Sequence, residues 1–292
     1  MARGRLIILI VVLLGGPPLA ALYFMRAHNA VQKADMNKFE WLASNSAPRG
    51  ALMKITLRSS FYYRGGGSLY IPPRSLHPGW GTPDSSHVVG PDKKPIPDEM
   101  SIIFYSYLED KFYEGTFPLP YDHILELFAK GYWSDHPAAK PGNTYDTITA
   151  GVAPGGVVAV WVEGLSRRKE VFFGHAKELA GDWHELCRMP PQANRAEVRE
   201  TALNEATEMD PRVARYREKI PFGLWDLYRT KYTWNPVFEG MAAPKLVQQI
   251  DSYNGERDYL RFPLPADLVD QPRPVPKHID FVAQREGVDH KT

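Results

Sequence analysis

Thr147-Ile148-Thr149-Ala150-Gly151-Val152-Ala153-Pro154-Gly155-Gly156-Val157-Val158-Ala159-Val160-Trp161-Val162 is the stretch on which the fold turns. Two runs rich in branched side chains flank Pro-Gly-Gly, whose residues preset and permit a tight turn, so the stretch reads as a β-hairpin. Val157 to Val162 is apolar at successive positions, on both faces of an extended chain, which places it centrally in its sheet.

Working outward, Ser101 to Leu108 is a second strand, Glu109-Asp110-Lys111 its turn and Phe112 to Phe117 its hairpin partner. After Pro118 and Pro120, apolar residues at Tyr121, Ile124, Leu125 and Phe128 form one helical stripe over Tyr121 to Lys130, with Gly131 at the C′ position. Ala51 to Arg58 alternates as a first strand, and a long tract rich in Pro, Gly and Ser, either functional or mobile, follows from Arg64 to Asp98. Downstream, Glu170 to Gly174 adds a strand. Asn194 to Met209 is charged, as a largely solvated helix would be. Pro221 to Tyr232, with Phe222, Leu224, Trp225, Leu227 and Tyr228, predicts a buried segment. Strands follow over Leu246 to Tyr253 and Lys277 to Val282. Strands dominate and neighbours are joined by hairpins. The expected fold is α+β, mainly antiparallel β-sheet with inserted helices.

An uncharged run from Leu6 to Met25 follows Arg3 and Arg5 and ends at Arg26. As a helix it would rise roughly 30 Å, the thickness of a bilayer's hydrocarbon core, and the leading charges favour a cytoplasmic N-terminus. Two readings compete. A cleaved signal peptide needs small residues at its cleavage site, yet Leu19-Ala20-Ala21 and His28-Asn29-Ala30 each carry a large residue there. An uncleaved anchor must accommodate Gly15-Gly16-Pro17-Pro18, which kinks the helix. The anchor is preferred, and both readings export the remainder. The expected organisation is an anchor over 1–30, a stalk over 31–50 and a single periplasmic domain over 51–292.

The formal net charge of +1 excludes a strongly basic nucleic-acid footprint. One cysteine, Cys187, excludes an intramolecular disulfide, a cysteine-built zinc site and a lipidated Cys just after the apolar run. Gly164-Leu165-Ser166-Arg167-Arg168 begins like a nucleophile elbow and fails at its last residue. His184-Glu185 lacks the second histidine of a zincin, and the other histidines are scattered. The glycine clusters lack the Lys-Ser or Lys-Thr of a phosphate loop. Carboxylate pairs such as Glu109/Asp110 and Asp146/Glu163 occur without a pattern that joins them in a cleft. No catalytic, cofactor-binding or metal-binding residue is therefore assigned. An envelope hydrolase and a structural envelope protein are kept as alternatives to a binding protein.

Aromatic residues decorate the strands. Ile103, Tyr105 and Tyr107 share one strand face, while Tyr113 and Phe117 lie on the partner. Core and cross-strand packing is the ordinary reading. The sharper one makes Trp80, in its Gly-rich loop, with Tyr105, Tyr107 and Tyr113, exposed anchors for a protein partner.

Gly79-Trp80-Gly81, Phe104-Tyr105-Ser106-Tyr107, Phe112-Tyr113-Glu114-Gly115, Gly151 to Trp161, Tyr228 to Phe238 and Tyr253-Asn254-Gly255-Glu256-Arg257 occur in that order. The arrangement resembles the bacterial envelope family called domain of unknown function 2931 (DUF2931), over about residues 50 to 285. The resemblance implies one exported domain without assigned catalytic residues or cofactors. Some members look like immunity proteins of type VI secreted lipase effectors. It thus implies a membrane-anchored periplasmic protein, attached to the inner membrane through residues 6–25, whose partner is such an effector.

Overall fold

The computed structural model describes residues 37–134, 143–239, 246–285 and 288–291. The chain starts with β1 (Lys38–Glu40), β2 (Leu42–Ser46), β3 (Met53–Ile55), β4 (Ser60–Tyr63), β5 (Ser68–Tyr70), β6 (Ser75–Leu76) and β7 (Lys93–Pro95). The predicted hairpin of long strands follows as β8 (Pro97–Ser106) and β9 (Lys111–Pro118), then helix α1 (Tyr121–Lys130). The opening stretch forms β10 (Thr147–Ala153) and β11 (Val157–Glu163), with β12 (Arg168–His175) and β13 (Lys177–Leu179) behind it. Four helices follow: α2 (Trp183–Cys187), α3 (Arg195–Met209), α4 (Arg212–Glu218) and α5 (Leu224–Leu227). The last strands are β14 (Lys231–Thr233), β15 (Leu246–Ser252), β16 (Arg257–Arg261), β17 (Pro272–Pro274), β18 (Pro276–Arg285) and β19 (Val288–Lys291).

Two large sheets result, one in the order β19-β18-β15-β16-β12-β11-β10-β2 and one built on β13-β9-β8-β3-β6 with β4 and β5 attached. Pairing is antiparallel except between β2 and β10. Ile148, Ala150, Val152, Val158, Val160 and Val162 of the first sheet share one core with Met53, Ile55, Phe61, Met100, Ile102 and Phe104 of the second. The sheets therefore pack face to face, and side-chain alternation decides which residues meet between them.

Each sheet also covers its outer face. Tyr105, Tyr107 and Phe112 turn away from the central core and pack under Trp183 and Leu186 of α2, Leu203 and Ala206 of α3, and Val213 of α4. Ala159 and Trp161 of β11 turn outward beneath Trp80 and Trp225. The central position inferred for β11 follows from this double covering. The charged helix expected over 194–209 is α3, capped by the Asn194 side chain on the N–H groups of Ala196 and Glu197 and buried only along Leu203 and Ala206. In α1, Ile124 and Phe128 are buried, and Gly131 ends the helix with φ +62°.

Three expectations need correcting. The stalk drawn over 31–50 gives way at Lys38: Trp41, Ala43 and Ala47 are core residues, because β2 extends the first sheet beside β10. The tract from 64 to 98 carries β5, β6 and β7 rather than loop alone. The segment 221–232 buries Trp225 but leaves Phe222 and Leu227 exposed, because its short helix presents one side to the sheet. No helix among the described residues is long and apolar enough to cross a membrane, and the apolar run 6–25 lies outside them.

The eight-stranded sheet has a seam. β12 and β16 pair only at Arg168 and Arg257, whereas β10, β11 and β12 are joined along their lengths. Charges reinforce this junction. Arg168 donates to the Gly255 carbonyl at 3.2 Å and to Glu163 at 2.5 Å. Beyond the seam Ile250 and Leu260 form a separate small core.

Candidate functional site

The four residues expected as partner anchors do not converge. Trp80 is 7% exposed and stands edge-on against Trp161, ring centroids 4.8 Å apart. Tyr105 is fully buried in the helix-covered layer. Its hydroxyl donates to the Asp110 carboxylate, to which Arg195 also donates at 2.8 Å. Tyr107, in the same layer, shares a 2.9 Å hydrogen bond with Ser75. Tyr113 lies on the opposite face, stacked on Phe104, and donates to Glu109 at 2.7 Å. Exposed anchor rings do not fit this burial. Helices or the facing sheet cover the three tyrosines, and Trp161 with Trp225 covers Trp80, so these residues pack rather than present themselves.

Glu109 and Asp110 are thus spent on tying their hairpin turn to tyrosines on opposite faces, and Glu109 also accepts the Gly155 N–H at 3.1 Å. Burial, then these carboxylates, hold the Tyr105 and Tyr113 phenols above their ordinary range. Glu163 is engaged by Arg168, and Asp146 accepts from Thr147 while burial raises its pKa. Among the described residues no group of three or more His, Cys, Asp or Glu side chains is arranged to hold a metal ion.

Four of the segments quoted for the family resemblance, those carrying Trp80, Gly151 to Trp161, Tyr228 and Asn254, meet around Trp161. Its indole N–H donates to the Asn254 carbonyl at 3.1 Å. A methyl group on Gly151 would stand 2.4 Å from its ring. Gly81 and Gly255 cross so closely that a Cβ on Gly81 would lie 2.7 Å from the Gly255 Cα, and both have positive φ. Only residues without a side chain allow these two loops to touch.

Over this aromatic centre lies an exposed feature, most of it on the segment 221–232 whose composition predicts burial. Phe222 is 60% exposed, Leu227 62%, Tyr232 53% and Tyr253 40%. The segment carrying the first three is anchored rather than loose. Trp225 inserts beside Trp161, His175 and Asp226 approach to 3.2 Å, and Arg229 lies 4.3 Å over the Phe173 ring. Arg229 also donates to Glu170 at 2.6 Å. Tyr228 packs on Tyr253 with ring centroids 5.0 Å apart. Such an arrangement can offer apolar side chains to a partner at low ordering cost. The one sequence signal for it was Glu170 itself, a carboxylate among Val171, Phe172 and Phe173 that needs a basic partner from elsewhere.

Residues 27–224, about two thirds of the chain, match the family model described as protein of unknown function (DUF2931). The match begins and ends earlier than the resemblance suggested, so Tyr253 to Arg257 and the strands beyond the seam lie outside it. No curated protein and no solved structure matches. The order of segments and the match over residues 27–224 lead to one conclusion: the chain belongs to the DUF2931 family.

Proposed function

We propose that this chain is a non-catalytic binding protein of the bacterial envelope. It is attached to the inner membrane through residues 6–25, and its periplasmic domain occludes a secreted antibacterial lipase effector. The observation that carries this reading is the pre-organised display of Phe222, Leu227 and Tyr232 on a segment held by Trp225, Arg229 and Asp226. Aromatic and apolar side chains presented on a fixed backbone are the usual energetic centres of protein interfaces. The run from Leu6 to Met25 supports membrane attachment, and the family resemblance supports export and the effector as partner.

The test is complementation of a deletion strain facing sister cells that deliver a type VI secreted lipase effector. The wild-type chain should restore survival, and Phe222→Asp with Leu227→Asp should not. Loss of two anchor side chains should weaken effector binding by about thirtyfold or more. Full protection by a folded double variant, or no protection by the wild type, would refute the reading.

A further inference from the structure

At the seam between β12 and β16 a cleft of about 220 Å³ opens, walled by strands of the first sheet on one side and by the β14–β17 ribbon on the other. Its charged lining is Arg167, Lys169, Lys231, Arg273, Glu256 and Asp258. The carboxylates are already committed: Asp258 lies 2.6 Å from Lys169 and 3.3 Å from Arg167, and Glu256 lies 3.5 Å from Lys169. These four charges cancel. Burial acts to lower the Lys169 pKa, but Asp258 and Glu256 outweigh it and keep the ammonium charged.

Two cations are left over. Arg273 donates to the Trp234 carbonyl at 2.7 Å and to the Leu268 and Gln271 carbonyls, which orient the guanidinium without neutralising it. Lys231 forms no ion pair among the described residues; its charge reaches Glu170, but that carboxylate is already held by Arg229 at 2.6 Å. The Arg167 Nε is buried with no hydrogen-bond acceptor among the described residues. Trp234 supplies an apolar wall, fixed by its indole N–H on the Pro274 carbonyl at 3.2 Å. The volume lies below that of sites for drug-sized ligands, which suits one small charged group.

We propose that this cleft binds a phosphate group, with Lys231 and Arg273 supplying the attraction and Trp234 bounding the ester substituent. A phosphate carries the two negative charges or the single diester charge that the surplus accommodates, and its oxygens accept from guanidinium and ammonium alike. The site is separate from the partner surface at Phe222 and Leu227 and does not depend on that reading. Its ligand is either a free phosphate or the headgroup of a phospholipid.

Calorimetric titration of the full chain in neutral detergent tests this with two probes. Inorganic phosphate represents the free anion, and glycerophosphoglycerol represents a diester headgroup without its acyl chains. Binding of either at low salt, weakened about tenfold or more by Lys231→Gln and by raised ionic strength, is the expected result. Tighter binding of inorganic phosphate identifies a free anion as ligand, and tighter binding of the diester identifies a headgroup. Because Lys231 is exposed, its replacement leaves the fold intact, and Arg273→Lys serves as the second variant, keeping charge while losing the planar fork. No heat with either probe, or equal affinity in the wild type and Lys231→Gln, would overturn the proposal.

Discussion

Replacing Glu170 by Gln should flatten the pH dependence of stability, because this carboxyl is buried where its charge is poorly served. Its side chain is 7% exposed. Oε1 accepts from Arg229 at 2.6 Å, while Oε2 is buried with no protein donor among the described residues. Burial is the largest influence and raises the pKa to about 7 from 4.5. Arg229 and Lys231 act in the opposite direction, and Glu256 adds repulsion. An acid whose pKa rises on folding holds its proton more tightly in the native chain than in the unfolded one. The resulting stabilisation is complete below pH 4.5 and is lost as pH rises through about 7. Between about pH 5 and about pH 8 the loss integrates to about 2.5 kcal/mol. Urea unfolding of the wild type and Glu170→Gln, followed by tryptophan fluorescence across this window, isolates the contribution, since other titrating groups cancel in the difference. The wild type should lose about 2.5 kcal/mol more than the variant as pH rises. Parallel stability curves for the two proteins would show that Glu170 does not fold as a neutral acid.

Two further outcomes follow from the packing. Gly81→Ala should destabilise the fold by more than about 2 kcal/mol, because its φ is +77° and the new methyl would meet backbone rather than a yielding side chain. A stability within about 0.5 kcal/mol of wild type in denaturant titration would contradict the close crossing with Gly255. Cys187 is buried beside Trp183 and Leu186, and burial pushes its thiol up to about 11. About a thousandth of it is then ionised at pH 8, so a thiol reagent should label the native chain at least a hundredfold more slowly than the urea-unfolded chain. Equal labelling rates would place the thiol at the surface.

Much of the secondary structure was legible because it rests on local signals. Pro154-Gly155-Gly156 marks the β10–β11 turn, Glu109 to Lys111 marks the β8–β9 turn, and the stripe through Ile124 and Phe128 with Gly131 behind it marks α1. Short strands such as β6, β13 and β17 escaped, since two or three residues carry no readable period and exist only through their partners. β16 escaped for a different reason. Arg257-Asp258-Tyr259-Leu260-Arg261 sets two adjacent apolar residues between charges and does not alternate, so it becomes a strand only when β15 pairs with it and Arg168 meets Arg257.

The candidate surface was hidden more deeply. Phe222 and Leu227 read as core because exposure is a property of what lies opposite a residue, and the short α5 has only Trp225 directed at the sheet. Tyr105, Tyr107 and Tyr113 carried the reverse ambiguity. Strand alternation placed them on faces, but only the layer of α2, α3 and α4 and the packing of the second sheet determined that both faces are covered.

By itself, then, the sequence determined the antiparallel hairpins, the α+β class, the absence of an intramolecular disulfide and the family, each of which depends on residue content, neighbouring residues or residue order. The tertiary structure alone decided the Gly81–Gly255 crossing, the seam with its charged cleft and the exposed segment over Trp161. Those features arise from contacts between residues far apart along the chain, and no local pattern encodes which distant side chain will stand opposite another.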